Sequence, residues 1–595
     1  MSSGSSENIP AWQKSGHIPV QPDMDAWKLF VFRKHRDELQ TEALCQELIA
    51  ELEAAVVERG SIVDALVRAG EIETGLADCG TANALEMAAI VDRLAAVACG
   101  FAPCSSLRAA IDALRRMSDL PPINCSHCEG FSYYGLHPLD FADLAERIQQ
   151  ELRPVVAVIG IRTAGATLSA IVRASLQHHH QNYHQTHLKN HTATAGDQVE
   201  QVERETVRPE GEPYHRVTRF SEGQSQWIGE KLRQNADFVI VDEGPGFSGS
   251  TFLSVARALL EAGVPHTNIV LMTSRPLNAA SGAALVAEWK QFRSFTIDYG
   301  TRTPPKAQVY IGNGLWRERF YRSHAHWPGS WTLMERSKYI DSDGSGFQKF
   351  EGFGRYGQLC RRHAEILAEA GLSPQLNTFE DGYASYELLI GRPLACTDLT
   401  AEVLSHMAGY CAFRVKNLPA KNIDTIALAN MRGWNMSVEL GTEISKASRS
   451  EPSRSNAFWN EPPVESPVYP DCRMMPHEWL QDPDGRIVKT DSVDHAEGHH
   501  LPGPVDIAWD LAGAIIEWRL SPPEVDFFLR EYQRQSGENA VKRIPQYLLL
   551  YAIFRSAQCR MGAASMAQSH EGAHLQREYR RYAESVKQSL GRKAA

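Results

Sequence analysis

Two segments of one design constrain this chain more than anything else in its 595 residues. The stretch VVAVIGIRTAGATLSAIV, 155–172, opens as an unbroken apolar run. It ends in a small-residue loop and passes straight into a helical pattern. The stretch from Asp237 repeats the design: an apolar run to Val241, a Gly-rich loop from Asp242 to Thr251, then a helical pattern from Phe252 to Ala262. A third apolar run follows at Ile269–Met272. Runs without polar alternation are strands buried on both faces. Strand, loop and helix in repetition predict a parallel α/β sheet, with ligands beyond the carboxyl ends of its strands, where both loops lie.

The length asks for several domains. Residues 1–25 are polar and read as a disordered tail. Residues 26–118 are helical in texture, with Ala- and Leu-rich stretches at Thr41–Glu58 and Ala84–Ala98 and a helix from Ser105 to Arg116; no chemistry is legible there. Residues 119–322 hold the α/β units. Residues 323–595 begin with a hairpin around Asp343-Gly344-Ser345-Gly346, continue into a helix from Tyr356 to Ala370, and are mainly helical beyond. The fold class expected is a multidomain α/β protein. A net charge of -11 gives no electrostatic footprint for nucleic acid or an anionic membrane surface. No basic-then-apolar leader and no bilayer-length apolar stretch are present, so a cytoplasmic protein with eleven reduced thiols is expected.

DFVIVDEGPGFSGST, 237–251, carries the first candidate site. Asp242 and Glu243 stand at a strand end, where two carboxylates can accept from ribose hydroxyls. Gly246, Ser248, Gly249, Ser250 and Thr251 can cradle a phosphate with backbone N–H groups, hydroxyls and a helix N-terminus. This segment resembles the signature of type I phosphoribosyltransferases, which bind 5-phosphoribosyl 1-pyrophosphate (PRPP). It departs from that signature by one extra residue before Gly249. The resemblance, over about residues 120–320, implies a parallel-sheet phosphoribosyltransferase fold and Mg²⁺ bridging pyrophosphate and ribose, with Asp242 and Glu243 at the metal. It further implies a pyrophosphate loop at Arg162, Thr163, Ala164 and Gly165, and a basic closing loop carrying Arg208, Arg216 and Arg219. Tyr133, Tyr134, Glu129 and His137 are candidates for the acceptor side.

Two other features read more plainly. Cys125-Ser126-His127-Cys128 lacks a second ligand pair and reads as ordinary thiols. The histidines 178, 179, 180, 184, 187 and 191 match no ligand spacing, and Gln177–Glu200 reads as a solvated, mobile loop.

From about Arg336 the chain resembles aminoglycoside-phosphotransferase and choline-kinase proteins, which implies a two-lobed kinase-like α+β domain. FQKF places Lys349 as the phosphate-pairing lysine, with Glu365 on the next helix as its partner. Phe379–Leu394, containing Glu387, corresponds to the link between lobes. Asp491 maps to the metal-binding Asp, and Asp506 and Asp510 to scaffold positions. The catalytic loop departs: Glu478 stands where the family has a metal-binding Asn, Arg473 where it has the catalytic Asp, and Asp471 is offset. Arg cannot serve as the base that orients an acceptor hydroxyl. An active kinase with a shifted loop, a nucleotide-binding pseudokinase and a purely structural domain all remain open.

The resulting expectation is a Mg²⁺-dependent phosphoribosyltransferase acting on a nucleobase or related heterocycle, fused to a kinase-like domain that takes ATP. The alternatives are a small-molecule kinase with a ribose-phosphate recognition domain, and a regulatory protein sensing PRPP or a nucleotide. The partners are small molecules, not nucleic acid or membrane, with a homodimer as the one assembly considered.

Overall fold

The computed structural model describes residues 37–58, 62–187, 201–211, 215–245, 249–277, 283–298, 302, 307–421, 423–439, 460–493, 501–567 and 569–591. The expected N-terminal tail, residues 188–200 of the histidine-rich stretch, Gly246 and Ser248 lie outside them.

The apolar runs do form a parallel sheet. Strands β3 (Val155–Ile161), β4 (Gln201–Val207), β5 (Asp237–Val241), β6 (Ile269–Thr273) and β7 (Arg293–Thr296) lie in the order β4-β3-β5-β6-β7, every pair parallel. Strand β3 is buried along its whole length. Val156 and Val158 face one core while Val155, Ala157 and Ile159 face another, the two-residue alternation of a strand covered on both sides. Strand order reverses between β3 and β5, so the loops after these two strands flank the crevice where doubly wound sheets hold ligands.

The N-terminal helices are α1 (Thr41–Glu58), α2 (Val63–Asp78), α3 (Asn83–Ala98) and α4 (Ser106–Arg116). They share one apolar core with a face of the sheet and with α6 (Asp140–Ile148) and α7 (Ala164–His187). A short strand β1 (Asp37–Leu39) pairs with β2 (Ile123–Cys125), and α5 (Glu129–Tyr133) follows. Helices α8 (Glu222–Arg233), α9 (Ser250–Glu261) and α10 (Ala283–Trp289) belong to the other face.

The histidine-rich stretch departs from the expected loop. Helix α7 runs on to His187, and His178 stacks on Phe101 at 4.1 Å between ring centroids. Residues 201–207 form the edge strand β4. Gln and His cost a helix only modestly, and a helix already nucleated extends at little expense.

The second sheet is antiparallel: β8 (Ala307–Tyr310), β9 (Lys338–Asp341), β10 (Gly346–Phe350), β11 (Leu376–Glu380) and β12 (Tyr383–Glu387), in the order β11-β12-β10-β9-β8. Strand β8 precedes the boundary drawn at residue 322, so this sheet recruits part of the segment assigned to the first domain. After α11 (Trp316–Phe320) and α12 (Gly354–Glu369), the helices α13 (Ala401–Asn417), α14 (Thr425–Glu439), α15 (Ala508–Glu517), α16 (Pro522–Ser536), α17 (Ile544–Ser565) and α18 (His570–Gly591) build the third and largest core.

The halves are joined tightly. Asp64 accepts from the Gly354 N–H at 2.7 Å, and Arg355 pairs with Glu71 at 3.0 Å. The Phe353 N–H donates to the Phe131 carbonyl at 2.9 Å, and Arg336 donates to the Ser132 carbonyl at 2.7 Å. No helix among the described residues is long and apolar enough to cross a membrane.

Candidate functional site

Asp242 and Glu243 emerge from the end of β5 into the crevice. The Glu243 N–H donates to Asp242 Oδ1 at 2.8 Å, and the Gly130 N–H donates to Glu243 Oε2 at 2.7 Å. That second bond brings Glu129 of α5 against the pair. Burial, and then repulsion by Glu243, hold Asp242 well above the usual carboxylate range; burial, and then repulsion by Glu129, raise Glu243 to about 8; burial raises Glu129 to about 7. At neutral pH such a cluster retains protons, so it can both donate to and accept from ligand hydroxyls. Gly249 precedes α9 with φ 70°, and a Cβ there would lie 2.8 Å from a Leu277 methyl. Ser250 and Thr251 open the helix.

The loop after β3 is held from the N-terminal helices. The Arg162–Thr163 peptide is cis. The Thr163 carbonyl accepts from Thr74 Oγ1 at 3.2 Å, and its hydroxyl lies 3.2 Å from Ser126 Oγ. Ala164 begins α7. Gly165 packs so closely on β3 that a Cβ would sit 2.6 Å from the Gly160 carbonyl carbon. Arg162, expected as a phosphate donor, instead pairs with Asp78 at 3.0 Å. Arg208 pairs with the same Asp78 at 2.6 Å and donates to the Arg162 carbonyl at 2.9 Å. Asp78, at the end of α2, thus clamps both arginines from a region where the sequence showed no chemistry. The basic loop closes through an antiparallel bridge between Glu210 and Val217, beside which stands the half-buried Arg216. Arg219 is exposed, 3.5 Å from Glu210.

Cys125 and Cys128 are buried. No three His, Cys, Asp or Glu side chains among the described residues gather as a metal-ligand set.

The second site lies under the antiparallel sheet. Lys349 stands on β10 opposite Lys338 of β9. Its ammonium bonds Asp491 and lies 3.3 Å from Glu351, while Lys338 reaches Asp491 at 3.0 Å. The expected partner Glu365 does not approach: half-exposed on α12, it pairs with Arg361 one turn earlier at 2.9 Å. Glu351, two residues beyond Lys349 in sequence, supplies the neighbouring carboxylate instead.

Asp510, buried on α15, accepts the N–H groups of Asp471 at 2.8 Å and Cys472 at 2.9 Å. These bonds fix the loop so that the next residue, Arg473, reaches the cleft, where it pairs with Glu478 at 2.9 Å. Asp471 faces away. It is fully buried, accepts from the Tyr410 hydroxyl and lies 3.3 Å from Lys489 Nζ. Glu478 is held between Arg473 and Lys489, the latter at 3.1 Å. Asp506 accepts from the N–H groups of Glu465 at 2.8 Å and Ser466 at 2.9 Å and from Arg543 at 3.1 Å.

Two cavities meet at Glu335, Lys338, Arg473 and Asp491. One is mostly apolar, lined by Glu387, Leu388, Leu389, Phe347, Ile340 and Leu480. The other is lined by Tyr133, Tyr134, Trp331, Phe554, Arg336 and Arg555. Tyr133 and Tyr134, expected on the acceptor side of the first site, line this second cavity. His137 is buried with its Nδ1 accepting from the Leu139 N–H at 3.1 Å, and desolvation lowers it to about 3. Asp491 is the acid of the expected metal role that faces this cleft. Mg²⁺ on a nucleotide takes most of its oxygens from phosphate and water, so one carboxylate suits one such ion.

No family model matches this chain, and no curated protein matches it. Among solved structures it is similar to the choline kinase LicA from Streptococcus pneumoniae, at 14% identity over 42% of this chain and 89% of that one, with a TM-score of 0.32. It is similar to a choline kinase from Cryptosporidium parvum at 10% identity, over 43% and 88%, with a TM-score of 0.30. A Plasmodium vivax ethanolamine kinase matches at 11% identity, over 42% and 78%, with a TM-score of 0.28.

Proposed function

We propose that this chain is a phosphotransferase that takes a nucleoside triphosphate in the cleft beneath the antiparallel sheet. The observation that carries this reading is the placement of Lys349 and Lys338 on Asp491, at the junction of an apolar pocket and a polar one. A base fits between Phe347, Ile340 and Leu480, against the backbone of Glu387–Leu389. The two ammonium groups then meet the phosphates, and a nucleotide-bound Mg²⁺ finds Asp491. Asp510 holds the loop that presents Arg473 to the reacting end. The test is turnover of γ-labelled ATP by the full chain. Asp491→Asn, which keeps a polar partner for both lysines, should abolish it.

A second reading concerns the first domain: phosphoribosyl transfer from PRPP to a heterocycle. It is favoured by the strand order, which sets Asp242, Glu243 and the Arg162–Gly165 loop on either side of one crevice. The carboxyl cluster would hold the ribose hydroxyls, donating to some and accepting from others. Release of pyrophosphate from PRPP, lost in the Asp242→Asn, Glu243→Gln double variant, tests it.

A further inference from the structure

We propose that the phosphoryl acceptor in this cleft is a phosphomonoester carrying an aromatic ring, of which a nucleoside 5′-monophosphate is the type, rather than an alcohol. This rests on the reading that the cleft holds a nucleoside triphosphate.

The first ground is that the described carboxylates around the reacting end are all engaged, while His477 lines the nucleotide half of the cleft, stacked on Trp316. Arg473 occupies the loop position next to the two amides that Asp510 clamps. Asp471 is sealed behind it, on Tyr410 and Lys489. Glu478 is held by Arg473 and Lys489. Glu335 has its oxygens engaged: Oε2 accepts from the Gly314 N–H at 2.7 Å, and Oε1 accepts from Trp316 Nε1 at 3.2 Å and from Ser330. Asp491 lies between two lysines. An alcohol needs a proton acceptor to attack phosphorus. A phosphomonoester, whose second ionisation falls near ~6, already presents an anionic oxygen at neutral pH. It requires opposite charge instead, and guanidinium groups match phosphate geometry better than any other side chain.

The second ground is the lining. The acceptor half of the cleft presents Arg473 and Arg555 beside Tyr133, Tyr134, Trp331 and Phe554. Cations with aromatic walls suit a phosphate with a stacked ring, and Arg336, Lys338, Lys349, Arg473 and Arg555 outnumber the two acids of this lining, Glu335 and Asp491. The third is continuity. Tyr133 closes the short helix whose Gly130 N–H bonds Glu243, and Arg336 pins that helix through the Ser132 carbonyl while lying over the Tyr133 ring at 5.4 Å. One segment therefore walls both the crevice proposed for ribose phosphate and this pocket.

The step balances without a base. A non-bridging oxygen of the acceptor phosphate bonds to the γ-phosphorus, and the bond from that phosphorus to the β–γ bridging oxygen breaks. The nucleoside diphosphate leaves and the monoester becomes a diphosphate ester. No proton moves to the protein.

The test uses the full chain with Mg²⁺ and γ-labelled ATP, offered uridine 5′-monophosphate, ribose 5-phosphate, uridine, choline or acetate, with ATP binding measured separately by calorimetry. The expected result is labelled uridine diphosphate, with kcat/KM rising with pH to a plateau above about 7 as the acceptor ionises. Arg473→Gln should lower kcat/KM for uridine monophosphate about 100-fold, and Arg473→Lys should restore part of it. Because Arg473 braces Glu478, Arg555→Gln provides a second variant, expected to raise KM for uridine monophosphate about tenfold. Label on uridine, choline or acetate would overturn the proposal. So would ATP binding without any labelled phosphate ester, or undiminished transfer by Arg473→Gln. Failure of ATP to bind would overturn the cleft reading itself.

Discussion

Replacing Lys349 by methionine removes an ammonium that the fold holds between two acids. Its side chain is 3% exposed, and Glu351, 3.3 Å away, is 1% exposed. Asp491 is better off: it is 16% exposed and keeps Lys338 at 3.0 Å. The carboxylate that loses most is therefore Glu351, which also accepts a hydrogen bond from the Tyr386 hydroxyl at 3.0 Å. Breaking a buried pair by removing one partner costs about 3–5 kcal/mol, and the surviving lysine on Asp491 places this case near the lower end, at about 3 kcal/mol. Glu351→Gln in the same background removes the stranded charge and keeps the shape. The double variant should then be more stable than Lys349→Met alone, with a coupling of about 2 kcal/mol. Urea unfolding of wild type, both single variants and the double variant, followed by tryptophan fluorescence, measures this cycle. If Lys349→Met unfolds within ~0.5 kcal/mol of wild type, or if the two changes add within that margin, the pair does not carry the buried charge as described.

Three further outcomes follow from the same geometry. Glu243 has its folded value raised to about 8, above its ordinary range, so its contribution to stability is full below about pH 4.5 and is lost as pH rises through 8. Glu243→Gln should therefore gain thermal midpoint relative to wild type between pH 5.5 and 8.5, by at least ~3 °C, and a difference that shrinks with pH would contradict the burial argument. Saturating PRPP with Mg²⁺ should stabilise the wild type by roughly 2–3 kcal/mol at a hundred times its Kd, and Asp242→Asn with Glu243→Gln should erase the shift; an unchanged shift in that double variant would place the ligand elsewhere. Asp510→Asn should cost about 2 kcal/mol in unfolding experiments, because two buried amides lose a charged acceptor, and a neutral result would show that the loop at Asp471–Arg473 is fixed by other contacts.

What the sequence disclosed follows from how local each signal is. Strands β3, β5 and β6 were legible because burial on both faces leaves an unbroken apolar run, and Asp242 and Glu243 because a strand end followed by a glycine loop is a contiguous pattern. The hairpin β9–β10 was marked by its own turn residues. Contacts between distant segments left no such trace. Nothing near Asp78 announces that it clamps Arg162 and Arg208. Glu365 sits at a plausible spacing after Lys349, yet the rotation of α12 sends it to Arg361, while Glu351 waits two residues from the lysine. Strand β8 is four residues whose pairing with β9 depends on the turn structure between them. Tyr133 and Tyr134 could be named as pocket residues, but their cleft could not be chosen, because the segment carrying them touches both. The persistence of α7 through its histidines shows a polar composition overridden by a helix already nucleated on an apolar face.

The central claim, a nucleotide cleft organised on Lys349, is tested most directly by calorimetric titration of Mg²⁺-ATP into the wild type and into the folded Lys349→Met, Glu351→Gln double variant. The cleft predicts one site per chain in the wild type, with a Kd between roughly 1 μM and 1 mM, and an affinity at least about tenfold weaker in the double variant. No binding to the wild type, or equal affinity in both proteins, would contradict it.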